Sequence, residues 1–151
     1  MIYKPDFIFD KEKIKKDIII SKKELPNLKV LVIDDERIIE GADIIAKDYD
    51  SGIDALKNNG PWDLLYLDHD YKPQHAKDPL GDHKDNGTAV CKWLAKNPQY
   101  CPRREVNIVS TNPIGTIRMG NILMNLYADV NSNRRVFRDL KSIKDMGKPK
   151  V

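Results

Sequence analysis

Three short apolar runs, each closed by polar residues, constrain this chain more than any other feature: LKVLVIDD (28–35), DLLYLDHD (63–70) and VNIVST (106–111). In the first, five apolar residues from Leu28 to Ile33 enclose one lysine; the third is β-branched and ends in hydroxyls. Apolar runs of this length, bounded by polar signals, read as strands. Because they are continuous and not alternating, they suit a mostly parallel sheet covered on both faces. In such sheets ligands bind in the crevice beyond the carboxyl ends of the strands, and that is where the polar closures fall.

Helical patterns lie between these runs. SGIDALKNNG (51–60) opens on a serine cap candidate and stops at Asn-Gly-Pro, and NGTAVCKWLAKNP (86–98) opens on Asn or Thr and ends before Pro98. PIGTIRMGNILMNLYADV (113–130) follows the third run with Pro113 suited to a first helical turn, and its Ile117, Leu123, Met124 and Tyr127 are expected to face the core. ADIIAKDYD (42–50) is a further strand candidate. The result is an α/β chain, three layers thick, with helices on both sides of the sheet. The link after the first strand is too short for the usual crossover helix, so the first 27 residues are expected to supply the missing cover. Residues 71–86 form the longest irregular stretch, with His75, Asp78, Asp82, His83 and Asp85; they read as a lid over a site or a hydrated insertion.

At 151 residues the chain has the length of one domain: a core of about 28–130, an N-terminal extension (1–27) and a basic C-terminal extension (131–151). A net charge of +3 is too small to argue by itself for nucleic acid. Cys91 and Cys101 match no metal-ligand spacing or disulfide framework, so they read as thiols in a reducing compartment. No stretch has the apolar length of a membrane span, and the polar N-terminus does not read as a signal peptide. The expected location is the cytoplasm.

The strand ends carry the chemistry. The first offers Asp34, Asp35, Glu36 and Arg37, the second Asp68, His69 and Asp70, and the third Ser110, Thr111 and Asn112. Each set has an ordinary use in turns and helix caps. Gathered at one edge, they make a site for a hard cation and an anionic ligand: carboxylates for Mg²⁺ or Mn²⁺, a guanidinium, hydroxyls and a helix N-terminus for phosphate.

In order and spacing, DDER, LDHD, GTAVCKWL and VSTNPIGTIRM resemble a receiver-like family, the cyclic-phosphate-processing receiver domains, over roughly residues 29–126. The resemblance implies a receiver-like (flavodoxin-like) sheet and a cyclic-phosphate substrate, such as an RNA end or a nucleotide. It matches Asp34 and Asp35 to the family's acidic pair, Asp68 to its strand-end aspartate, His69 and Asp70 to its His-Asp, and Ser110 and Asn112 to its S-x-NP element. Where the family continues LDHD with Leu-Gly, this chain has Tyr71-Lys72, and the lysine that signalling receivers carry after a fifth strand has no clear counterpart.

The leading expectation is a metal-dependent phosphoesterase. Asp34, Asp35 and Asp68 would hold the cation, and His69 would act as general base or acid beside Asp70, which would orient it or bind metal. Arg37, Ser110, Thr111 and Asn112 would receive the phosphate. Two other readings use the same residues: a phosphoacceptor signalling domain with Asp68 as acceptor, and a non-catalytic phosphate or nucleotide binder.

Overall fold

The structure, a computed structural model, describes residues 11–110 and 112–127. The three apolar runs and the weaker candidate become four strands: β1 (Val30–Ile33), β2 (Ile44–Ala46), β3 (Leu64–Leu67) and β4 (Glu105–Ile108). All pairings are parallel, in the order β2-β1-β3-β4, with Val30 opposite Leu64 and Ile33 opposite Leu67. Every residue of β1, β3 and β4 is buried, as a sheet covered on both faces requires.

Successive side chains on a strand point to opposite faces, and the two faces are covered differently. Leu31, Ile33, Leu65, Leu67, Val106 and Ile108 meet one side's helices: α2 (Tyr49–Asn58), α4 (Gly87–Lys96) and α5 (Pro113–Tyr127). Val30, Val32, Leu64 and Tyr66 meet Ile14 and Ile18 of the N-terminal helix α1 (Lys11–Glu24), both fully buried. The extension thus supplies the cover that the short link cannot. Residues 34–43 cross from β1 to β2 without a helix, and their Ile39 joins the α1 cluster. Truncating Ile14 or Ile18 to alanine would cost about 2–5 kcal/mol.

Three local expectations change. Helix α2 starts earlier than the serine suggested: Asp48 is its N-cap and accepts from the Ser51 N–H at 2.8 Å, with Ser51 at the third helical position completing a capping box. In α5 the buried stripe is Thr116, Met119 and Leu123, so Leu123 faces the core but Ile117 and Met124 are exposed. Each lies one residue beyond a buried position, a rotation of about 100° on the helix. Tyr127's side chain, Thr111 and the basic extension lie outside the described residues. The 71–86 stretch contains a short helix, α3 (Pro73–Lys77), and is tied to α5 where Arg118 Nη1 donates to the carbonyls of Pro79 and Gly81.

Candidate functional site

Because Ile33 and Leu67 are register partners, the residues that follow them, Asp34 and Asp68, leave the sheet as neighbours. Asp34, Asp35 and Asp68 each place a carboxylate oxygen within 4.8 Å of the other two. Asp34 is fully buried: Oδ1 accepts the N–H groups of Glu36 and Arg37 at 2.9 and 3.1 Å, and Oδ2 meets Arg37 Nη1 at 2.5 Å. Asp68 accepts the His69 N–H at 2.8 Å, yet burial first, and then the charge of Asp34, push its carboxyl up to about 8. Burial likewise raises Asp35, with Glu36, Asp34 and Asp70 adding repulsion. Like charges so close cannot all ionise without a proton or a cation between them. An all-oxygen donor set of this kind fits a hard divalent ion of the Mg²⁺ or Mn²⁺ class.

Asp35 and Asp68 open into a cleft of about 250 Å³, whose wall includes Arg37, Asp70 and Lys72, while Asp34 has no exposed surface. Pro73 and Ala76 of α3 line it as well, so the 71–86 segment forms one side of the site. Lys72 is a cleft residue that the sequence reading did not single out as a site candidate. Its signal was available, since it stands where the resembled family has Gly. Its ammonium rests on Asp85 at 2.5 Å.

His69 lies behind Asp70 and has no exposed surface. Its Nδ1 is 2.6 Å from Asp70 Oδ1 and its Nε2 is 3.0 Å from Thr88 Oγ1. Burial lowers its pKa, although Asp70 pulls the other way. A neutral ring satisfies both contacts when Nδ1–H donates to the carboxylate and Nε2 accepts the threonine hydroxyl. Asn112 completes the arrangement: its Nδ2 donates to Asp70 at 3.1 Å, and its Oδ1 accepts the Gly115 N–H at the start of α5. The close fit explains two glycines. A Cβ on Gly115 would fall 2.4 Å from the His69 ring, and one on Gly87 would fall 2.5 Å from the Asp68 carbonyl oxygen.

The expected residues therefore converge in layers. Asp35, Asp68, Asp70 and Arg37 face the cleft, and buried Asp34 joins their carboxylates. His69 and Asn112 hold Asp70 from behind, and Ser110 is buried with Oγ accepting the Asn112 N–H at 3.0 Å. Thr88 was missed as a partner of His69, and only its place at the start of a helix hinted at it.

A second group, His75, His83 and Asp85, has the residue types and proximity for a metal. Its hydrogen bonds argue against one. His75 Nδ1 accepts the Tyr71 N–H at 3.0 Å, so the ring proton sits on Nε2 and points at Asp85 Oδ1, 2.9 Å away. Binding a metal through Nε2 would drive that proton to Nδ1, against another donor. Metal-bound histidines instead give their second N–H to an acceptor.

Among the described residues no helix is long and apolar enough to cross a membrane. No curated protein and no solved structure matches the chain. The family model of the cyclic-phosphate processing receiver domain does match, over residues 29–125. That span holds all four strands and every residue of the cleft. With its β2-β1-β3-β4 parallel sheet and its acids at the ends of β1 and β3, the chain belongs to the cyclic-phosphate processing receiver domain family.

Proposed function

We propose that the chain is a metal-assisted phosphoesterase that opens a cyclic phosphate. The observation that carries the reading is the convergence of Asp34, Asp35 and Asp68 within 4.8 Å, two of them lining a cleft that also holds Arg37 and Asp70. A divalent cation held by the three aspartates would supply charge neutralisation to the phosphoryl oxygens. Arg37, braced by Asp34, presents its guanidinium to a nonbridging oxygen. Asp70 orients the attacking water and takes its proton as the water oxygen bonds to phosphorus. One ring P–O bond breaks, and Asp70 returns the proton to the departing alkoxide, leaving a phosphomonoester.

In this scheme His69 is a positioning residue and not the base. Its ring is buried and both its nitrogens are already hydrogen-bonded, to Asp70 and Thr88, and with Asn112 it fixes the Asp70 carboxylate. Such orientation lowers the barrier because the reacting groups start near their productive geometry.

The test is hydrolysis of a short RNA bearing a 2′,3′-cyclic phosphate, with and without Mg²⁺ or Mn²⁺, comparing the wild type with Asp68→Asn and Asp70→Asn. Metal-dependent ring opening that both variants lose is the expected result. Full activity in folded Asp70→Asn would remove the assigned base, and binding without turnover in any metal would select the non-catalytic reading. The position of Asp68 at the end of β3, beside an acidic pair, also suits a phosphoacceptor. A phosphoryl adduct on Asp68 after incubation with acetyl phosphate and Mg²⁺ would favour that second reading.

A further inference from the structure

A second concavity, of about 330 Å³, lies between the N-terminus of α2, the 82–84 turn and the outer face of α4. Its lining pairs aromatic faces with cations. Tyr49 and Trp93 supply the rings, and Lys84, Lys92 and Lys96 the charges. On α4 the positions 89, 92, 93 and 96 share one side; Val90, Cys91 and Leu94 pack into the core, and Trp93, like Tyr49, is half-buried with one part against that core and another lining the groove. Tyr100 stacks on Trp93 with ring centroids 5.4 Å apart and planes 24° from parallel, so the indole is backed and held. Asp82 is the one acid among the lining residues, and it reaches Lys84 at 3.4 Å and Lys92 at 3.7 Å.

Rings to stack on, beside cations spaced along a helix, are the means by which proteins hold single-stranded nucleic acid without reading its sequence. Lys92 and Lys96 stand one helical turn apart, with Cβ atoms about 5–6 Å from each other. The groove and the acidic cleft meet in the 71–86 segment: Pro73 and Ala76 of α3 line the cleft, residues 82–84 line the groove, and His83 packs against His75 of α3 with ring centroids 5.0 Å apart.

We infer that this groove binds the strand of a single-stranded polynucleotide whose terminal phosphate enters the cleft. Bases stack against Trp93 and Tyr49, and backbone phosphates displace Asp82 from Lys84 and Lys92. The inference deepens the proposed function and rests on it for the chemistry of the end: the preferred substrate is a polynucleotide end, held more tightly than a free sugar phosphate or mononucleotide that the cleft alone would take.

The experiment uses a fluorescein-labelled oligouridylate of about eight nucleotides with a 3′-phosphate, which measures binding without turnover. Lys92→Gln/Lys96→Gln, both on the protein surface, should weaken binding about tenfold at moderate salt. It should also flatten the dependence of log K on log salt by about 0.7 per lysine. Hydrolysis of uridine 2′,3′-cyclic phosphate should not change. With unlabelled oligouridylate, binding should quench tryptophan fluorescence, and Trp93→Phe should abolish the quench, because the chain's other tryptophan, Trp62, is 1% exposed. Equal oligonucleotide affinity in wild type and double variant, or an oligomer that binds no better than uridine 3′-monophosphate, would overturn the inference. If no cyclic phosphate is hydrolysed but the lysine-sensitive binding and quench persist, the proposed reaction fails and the groove stands. If the mononucleotide is hydrolysed while oligomer binding ignores the variants, the groove fails and the reaction stands.

Discussion

His69 and His75 are both fully buried, and both give a ring proton to an aspartate, yet they carry that proton on opposite nitrogens. At His69 the Thr88 hydroxyl occupies Nε2, which leaves Nδ1–H for Asp70. At His75 the Tyr71 amide occupies Nδ1, which leaves Nε2–H for Asp85. The tautomer is thus chosen by the partner of the other nitrogen. The carboxylates then have different tasks: Asp70 faces the acidic cleft, whereas Asp85 holds Lys72 and fastens the 71–86 segment. Under the proposed reaction, the same pair of residue types serves chemistry in one place and architecture in the other.

The largest effect should separate the two carboxylates. Asp70→Asn is expected to lower cyclic-phosphate turnover by about 10²–10⁴-fold, the usual worth of general acid–base catalysis. Asp85→Asn should lower it by less than about tenfold, and comparable losses in steady-state assays would erase the difference between the two carboxylates.

Two glycines sharpen the same contrast. An added methyl at Gly115 would strike the His69 ring at 2.4 Å, and the ring is enclosed. Gly115→Ala should therefore displace Asp70's support and reduce kcat by about 10–100-fold in a protein that still folds. At Gly81 the near atoms are Asp78 Oδ2, at 2.3 Å, and His83 Nε2, at 2.9 Å, both tips of side chains that can turn aside. Gly81→Ala should change turnover little, within about twofold.

The acids next to His69 predict a pH signature. Asp68 rises in the fold from an ordinary 3.8 to about 8, so in that window the folded chain keeps a proton that the unfolded chain has released. Asp68's contribution to the stability of the metal-free protein should then fall as pH rises from about 4 to about 8, by up to roughly 5 kcal/mol, while His69, whose pKa burial lowers, works in the opposite direction up to about pH 6.5. Mg²⁺ should flatten the fall, as read by denaturant titration across pH. A metal-free profile that rises between about pH 6.5 and 8 would contradict the arrangement of carboxylates.

The smallest expected effect is none. Zn²⁺ should shift the thermal midpoint of wild type and His75→Asn alike, because the Nε2 proton of His75 is already committed to Asp85. A Zn²⁺ stabilisation that His75→Asn removes would show that the ring changes tautomer. Nitrogen chemical shifts of the two imidazoles would then read the exchange directly.

Much of this was legible in the sequence. Continuous apolar runs announced buried parallel strands, and Asp34, Asp35 and Asp68 followed from where those runs end. The short link after β1 correctly demanded cover from elsewhere. What stayed hidden depends on packing across the chain. Which face of α5 is buried is decided by the helices and sheet beneath it, so Ile117 and Met124 looked as much like core as Leu123 did. The direction of the His69 ring depends on Thr88 and Gly115, which are distant in sequence. Nor could a list of donors separate His75, His83 and Asp85 from a metal site, because one backbone amide, that of Tyr71, decides the matter.

The helix that covers the second face of the sheet comes before β1, and the family match begins at residue 29. The stretch recognisable by descent is therefore shorter than the stretch able to fold. A polypeptide begun at Lys29 would retain every acid of the cleft but present Val30, Val32, Leu64 and Tyr66 to water, an apolar surface of the kind that drives aggregation. Relatives of this chain could cover that surface with any apolar segment, joined at either terminus or contributed by another polypeptide, and leave the ends of the strands unchanged.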